Sequence, residues 1–420
     1  MATDLFRRNR NFRLLISGAA AANLGDGIAA LALPWLATMI SRDPFDIAIV
    51  AFATRLPWFL LSLPVGVVTD RADRQALIFR ADLARVALSI GIVALILMAP
   101  SLPDDDGSAR LLIGAIAVLA FALGTAEVFR DNAAQTVLPM LVDERDLETA
   151  NGQIWSVERV MGSFVGPPLA GLLIALAVPL PFSVNALAFG LAALTIWSIA
   201  FPARKLTPSR AGFWAEMRDG MRWISTHRAI LQLAIMLGLM NALHIAAATF
   251  LVLFSQEVLG LGSFGHGVLL TAGAGGGVVG GLVCPRIAAR LGPRTSLIAA
   301  LVLMPLSYFV LFFTSSTILA AAALFLEVLA GMLWNVVTVS YRQRFIPEAI
   351  LGRVNAIYRF FGWGMMPVGA LLAGLLVAQI EPVSGREAAL RAPFLVAGLG
   401  MVAMCLYAIF ALKLGRRGVA

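Results

Sequence analysis

The sequence predicts an all-α integral membrane protein whose twelve transmembrane helices form two pseudo-symmetric six-helix bundles. Three observations lead there. Hydrophobic residues make up 60% of the 420 and charged residues only 13%, with a mean hydropathy of +0.87. Apolar stretches of about 20 residues, the length that crosses a bilayer core as a helix, recur along the whole chain. Basic residues gather in alternate short connections, the pattern that sets membrane orientation. In hydrocarbon every backbone polar group has to be satisfied within its own segment, so such stretches are helices. A β-barrel is excluded because its strands would alternate every second residue.

The spans fall at 14–40, 47–69, 76–99, 111–137, 150–177, 180–201, 229–257, 264–289, 295–314, 317–345, 350–379 and 392–413. The first follows the basic start FRRNRNFR, is too long for a secretory h-region and lacks a small-residue cleavage site, so a retained helix is expected. Arg7, Arg8, Arg10 and Arg13 precede it, and Arg71 and Arg74 follow the second span. Later connections on the same side hold Arg286, Arg290 and Arg294, then Arg342, Arg344 and Arg353; the tail holds Lys413, Arg416 and Arg417. The other side offers Arg42, Arg110, Arg386 and Arg391. Both termini are therefore expected on the cytoplasmic side of a bacterial inner membrane. The net charge of +8 is explained by these loops, which argues against nucleic acid as a partner.

Residues 202–228 form the longest polar connection. Phe213, Trp214, Met217 and Met221 recur there at helical spacing among Glu216, Arg218, Asp219 and Arg222, predicting a basic amphipathic helix on the inner leaflet. The expected division is 1–201, a linker at 202–228, and 229–420. LAGLL occurs at 169–173 and again at 372–376, and GVVTDR at 66–71 has a weaker counterpart in GLVCPR at 281–286. Both pairs support a repeated half. Cys284 and Cys405 lie in apolar runs and read as packing residues.

Two motifs stand out. GVVTDRADR, after the second span, concentrates Asp70, Arg71, Asp73 and Arg74 within five positions of a chain that otherwise avoids charge. It resembles the signature loop of the major facilitator superfamily, matched by Gly66, Asp70, Arg71 and Arg74. Asp73 stands where that pattern has Gly, and Asp tolerates a left-handed turn better than most residues. This departure, the start of the chain and TVLPMLVDERDLETANG at 136–152 resemble the branch that includes the enterobactin exporter and macrolide efflux pumps. The resemblance implies a functional monomer that moves a small molecule by alternating access, with no cofactor. It also implies a gate: Asp70 at the amino end of the eleventh helix, and Arg71 or Arg74 against Asp131, contacts worth roughly 0.3–2 kcal/mol each. The alternative is a generic positive-inside loop. The second motif, RVMGSFVGPPLAG at 159–171, resembles the fifth-helix motif of superfamily antiporters, through Gly162, Gly166, Pro167 and Gly171. Gly162 and Gly166 share a helical face and permit close approach, whereas Pro167 and Pro168 should bend the helix. The motif is associated with export in exchange for protons; the alternative is ordinary glycine-rich packing.

Ionisable residues inside spans usually face a cavity or a partner. Asp26 and Glu327, isolated and near mid-span, lead as proton-coupling residues, with Glu127 as a third candidate. Structural carboxylates paired with Arg55, Arg359 or a polar side chain are the alternative. Glu127, Arg130 and Asp131 share one face and suggest a charge network. Asn23, Arg55, Asn241, His244, Trp334 and Arg359 are candidates for a substrate cavity. The leading functional expectation is proton-coupled export of amphipathic organic compounds, drugs or siderophores. A uniporter or importer on the same fold and a non-transporting receptor remain open. An enzyme is disfavoured because the three histidines lie on separate elements and no P-loop occurs.

Overall fold

The computed structural model describes residues 2–99, 108–201 and 213–412; the side chains of Asp70 and Arg71 are not among those described. Helices are its only regular elements there. In chain order they are α1 (Ala2–Arg8), α2 (Arg10–Ile40), α3 (Pro44–Arg71), α4 (Arg74–Met98), α5 (Ser108–Gln135), α6 (Leu147–Arg159), α7 (Gly166–Leu176) and α8 (Leu180–Trp197). Then follow α9 (Phe213–Thr226), α10 (Arg228–Glu257), α11 (Ser263–Phe313), α12 (Thr317–Phe345), α13 (Glu348–Ser384) and α14 (Arg386–Ala411). Eleven stretches are long and apolar enough to span a membrane, α6 and α7 together forming one of them. The 51 residues of α11 are two helices joined at Gly292, whose φ of 75° no helix accommodates and which Pro293 follows. Counted so, the described residues carry the expected twelve spans.

Helix ends are closed by side chains chosen for the purpose. Asn9 caps α2, its Oδ1 accepting from the Phe12 amide at 2.9 Å while its Nδ2 donates to the Leu141 carbonyl at 2.8 Å. Asp73 caps α4 by accepting from the Ala76 amide at 3.2 Å. Its φ is −66°, so the left-handed turn expected at this position is corrected: the residue serves as an N-cap, a role in which Asp excels. Gln75 donates to the carbonyls of Ile196 and Ile199, both at 2.9 Å, closing the end of α8. Arg391 closes α11 in the same way, donating to the Phe312 and Thr314 carbonyls at 2.6 and 2.7 Å. Arg386 reaches Glu257 at 2.9 Å and Glu381 at 3.0 Å, clasping α10 and α13 to the start of α14. These two arginines, exceptions to the loop-charge asymmetry, thus have structural partners.

The chain divides into two units. Unit 1 comprises Met1–Arg42, Ala53–Ser209 and Gly262–Val268; unit 2 comprises Asp43–Phe52, Arg210–Leu261 and Leu269–Ala420. This grouping departs from the expected division. Each unit takes in a short segment from the other half of the sequence, and α9 joins unit 2. In its described part α9 packs on unit 2: Ile224 is fully buried with Ile230, Ile346, Val354 and Ile357. Gly220 lies so near α13 that a Cβ would come within 2.7 Å of Ile357 Cδ1. Met221 is exposed, and Phe213, Trp214 and Met217 have side chains outside the described residues.

The repeated LAGLL does the same work in each unit. In unit 1, Gly171 of α7 meets the start of α11, where a Cβ would lie 2.7 Å from the Ser263 carbonyl carbon; Ser263 Oγ donates to the Gly171 carbonyl at 2.7 Å. In unit 2, Gly374 of α13 meets the start of α3, where a Cβ would lie 3.3 Å from the Pro44 carbonyl and closer still to Ala48.

The RVMGSFVGPP stretch is not a simple bend. Val160–Val165 form a π-turn between α6 and α7, with the Gly166 amide donating five residues back to Met161. Pro167 and Pro168 lack the amides that an α-helical ladder requires, and the π-turn absorbs the mismatch. Gly166 then sits against α2, where a Cβ would stand 2.6 Å from Gly27 Cα; Gly162 packs on the same helix beside Asn23 and Gly27.

Gly166→Leu should lower stability by about 1–3 kcal/mol, because the α2 backbone at Gly27 and Ile28 occupies the space it needs; a thermal melt in detergent checks this. Asp73→Ala should lose about 1 kcal/mol and Asp73→Gly a few tenths in the same melt, whereas at a turn requiring Gly the Asp73→Gly change would raise stability.

Candidate functional site

Two intramembrane clusters of ionisable residues emerge, one in each unit. In unit 1 the centre is Arg85 of α4, 2% exposed. Its Nη2 pairs with Asp26 Oδ1 of α2 and its Nη1 with Asp82 Oδ1, one turn earlier, at 3.5 Å. Asp82, at 1% exposure, is shared with Arg130 of α5, whose Nε lies 3.9 Å away. Arg130 Nη1 in turn holds Asp131 at 3.2 Å. The result is an alternating chain, Asp26–Arg85–Asp82–Arg130–Asp131, across three helices. Glu127 is half-buried beside it, within the electrostatic reach of Arg55, Arg85, Arg130 and Asp131.

Local sequence explains the geometry. A Cβ on Gly25 would lie 2.5 Å from Phe189 of α8, so glycine next to Asp26 lets that ring come in. The ring then supports Arg85, whose guanidinium carbon stands 3.7 Å above its centroid. The expectation that Asp26 is isolated is therefore corrected: its partner is Arg85 rather than Arg55. Asp82 and Arg85 were missed by sequence reasoning. The signal was available, since RADLAR at 80–85 places three charges inside an apolar span.

In unit 2, Glu327 of α12 is bonded to His244 Nδ1 of α10 at 2.7 Å and accepts from Tyr308 Oη of α11 at 3.1 Å. Both bonds use Oε1. Here too the expected isolation is corrected, by two candidates meeting, since His244 is the partner. Asn241, one turn before His244, donates to the Gly362 carbonyl at 2.9 Å. Trp334 is 2% exposed in the apolar core of unit 2 with its indole Nε1 unbonded, which replaces the expected cavity-lining role with packing. Arg359 is exposed near Trp363, and Arg55 is exposed on α3. Asn23 donates to the Ala19 carbonyl of its own helix at 2.9 Å.

The signature-loop residues play several parts. Gly66 has open space where a Cβ would go. Arg74 donates to the Thr136 carbonyl at 3.0 Å, tying the start of α4 to the turn after α5. Asp131 is held by Arg130, and the expected pairing of Arg71 with Asp131 lies outside the described residues.

Residues 6–414 match the family model described as transmembrane secretion effector. The multidrug efflux pump Tap of Mycobacterium tuberculosis is 27% identical over 418 residues, covering 94% of this chain and 92% of Tap. Macrolide efflux protein A of Streptococcus pyogenes is 21% identical over 386 residues, covering 88% and 90%. In fold the chain is similar to the nucleoside transporter NupG (D323A mutant), with a TM-score of 0.78 at 12% identity, covering 96% of this chain and all of the other.

Arg85→Met leaves Asp26 without its countercharge and Asp82 with Arg130 alone, and should lose roughly 3–5 kcal/mol. Adding Asp82→Asn should recover part of that loss in denaturant titrations, and equal stability of R85M and wild type would show the network to be structurally idle.

Proposed function

This chain belongs to the transmembrane secretion effector family of the major facilitator superfamily, and we propose that it exports amphipathic organic compounds in exchange for protons. It is a multi-pass secondary transporter, not an enzyme. The proposal extends to its setting: a bacterial inner membrane, a functional monomer, and both termini in the cytoplasm, as the loop arginines favour.

The observation that carries the reading is the alternating chain in unit 1. Asp26 keeps 25% exposure of its side chain and Asp131 30%, whereas Arg85 keeps 2%, so the chain has two accessible ends and a sealed interior. A proton arriving at Asp26 removes the countercharge of an arginine that stays charged at any working pH. Arg85 then turns its charge onto Asp82 and Glu127. Because Asp82 Oδ1 also faces Arg130, its withdrawal loosens Arg130 toward Asp131. A protonation event on α2 is thereby read on α5, near the loop that carries Arg74. This is a small bias on a two-state equilibrium, which is what a carrier cycling between orientations requires. The relatives named as multidrug and macrolide pumps support drug-like amphiphiles as cargo.

The test is flux in proteoliposomes loaded with ethidium or a macrolide under an imposed pH gradient. Wild-type protein should move cargo against its gradient, and a protonophore should stop it. Asp26→Asn should abolish gradient-driven movement while leaving downhill exchange. Movement that ignores both the gradient and the substitution would replace antiport with facilitated diffusion.

A further inference from the structure

On the reading that the chain is a proton-driven exporter, we propose that Ser89 of α4 and Asn185 of α8 hold an enclosed water cluster against Arg85, and that this water takes over the solvation of the guanidinium when Asp26 is protonated. Gln75 near the start of α4 bonds carbonyls at the end of α8, and Phe189 of α8 carries Arg85 on its ring, so the two helices run antiparallel. Ser89 stands one turn after Arg85, and Asn185 one turn before Phe189. One turn beyond the Arg85–Phe189 contact, the two polar residues therefore come to one level on facing sides of α4 and α8. Gly190, whose Cβ would lie 3.8 Å from Val86, fixes the same register.

Unmet hydrogen bonds mark the place. Ser89 is 0% exposed and Asn185 1%. Among the described residues nothing bonds the Ser89 hydroxyl, either polar atom of the Asn185 amide or Arg85 Nε. Other hydroxyls of unit 1 settle on the carbonyl one turn earlier, as Thr69 does on Val65 and Thr125 on Phe121; Ser89 does not. Orphaned buried amides are costly, and enclosed polar groups of this kind are met by ordered water that makes about three bonds. Ile92 and Phe182, about one turn further from Arg85 on the same two helices, are 0% and 1% exposed, which encloses the cluster.

The chemistry selects water over an ion. A metal cation would sit beside a guanidinium. An anion would compete with Asp26 and Asp82, which already neutralise it. Water can both accept from Arg85 Nε and donate to Asn185 Oδ1. The charges around Arg85 are Asp26 from α2, Asp82 on α4 itself, and Glu127, Arg130 and Asp131 from α5; α8 has no ionisable side chain. While Asp26 is ionised, its carboxylate holds Arg85 Nη2 and the water bonds Nε. A proton on Asp26 leaves the guanidinium charged and short of a partner, and the water beside it turns its oxygens inward. Desolvation is the main cost of a lone buried charge, so water already in place lets the proton come and go. Ser89 and Asn185 are thus positioning residues that act through Arg85 on Asp26.

The experiment uses the full chain in lipid nanodiscs and X-ray hydroxyl-radical footprinting, which marks side chains beside bound water even where bulk solvent does not reach. Phe182 and Phe189 flank Asn185 by one turn and should be marked well above Phe394, which is equally buried at 1% in the apolar core of unit 2. Asn185→Leu, close in size, should erase that difference, and Asn185→Thr should keep it. Asn185→Leu should also lower the melting temperature, because it displaces bound water, whereas at a dry site it would remove an unpartnered amide and raise it. In proteoliposomes Asn185→Leu should cut gradient-driven ethidium flux about tenfold, as expected for one lost hydrogen bond to a charge, and Asn185→Thr should restore it. Downhill exchange should stay intact in both. Equal marking of Phe182, Phe189 and Phe394 in wild-type protein, or a raised melting temperature in Asn185→Leu, would overturn the water. Full-rate flux in Asn185→Leu with the marking gone would overturn its part in coupling. Marking in a wild-type protein without gradient-driven flux would keep the water and remove the export reading.

Discussion

A guanidinium sealed inside an apolar bundle has to be neutralised by the protein itself, and much of unit 1 is arranged around that requirement at Arg85. Hydrocarbon offers neither water nor counterions, so the partners must come from neighbouring helices. Asp26 from α2 and Asp82 from the same helix supply the charge, and Phe189 from α8 supplies a polarisable face. Gly25 exists at its position because that ring needs its space. Three helices, α2, α4 and α8, are thus fixed in register by one buried charge and what it demands. The pairs add little net stability over an apolar core, but removing any one partner is severe. That asymmetry suits a moving part: the network is satisfied as a whole and disturbed by a single proton.

Close backbone approach is the second organising device. Membrane helices gain nothing from the hydrophobic effect against one another, so van der Waals contact at small residues does the packing. Gly27 with Gly162 and Gly166, Gly171 with Ser263, and Gly374 with Pro44 and Ala48 are all contacts where a single Cβ would intrude. The π-turn at Val160–Val165 belongs to the same scheme. It lets two consecutive prolines sit in a span and still leaves Gly166 facing α2.

The two charge clusters differ in a way that composition alone conceals. Both contain a mid-span carboxylate on a helix lined with alanine and leucine. One is paired with an arginine and extended into a chain of five residues; the other is paired with a histidine and a tyrosine. The guanidinium is a partner that stays charged, whereas the imidazole is one that can titrate.

By itself, the sequence determined the class of protein, the number and limits of its spans, the internal repeat and the positions of nearly all intramembrane charges. Those features are local: length, hydropathy and spacing suffice for them. It also marked Gly162 and Gly166 as a packing face, because helical period is readable without coordinates. Only the tertiary structure decided who pairs with whom. Asp26 and Glu327 read alike as lone carboxylates, since nothing in one span announces that RADLAR of α4 or His244 of α10 will lie beside it. Asp73 read as a turn residue and serves as a cap, because backbone torsion depends on where the next helix starts. The apolar face of α9 could serve lipid or protein equally well, and the apolar surface of Ile346, Val354 and Ile357 that covers Ile224 is assembled only when α12 and α13 pack. Periodicity identifies a face; which neighbour covers that face is set by the packing of distant segments.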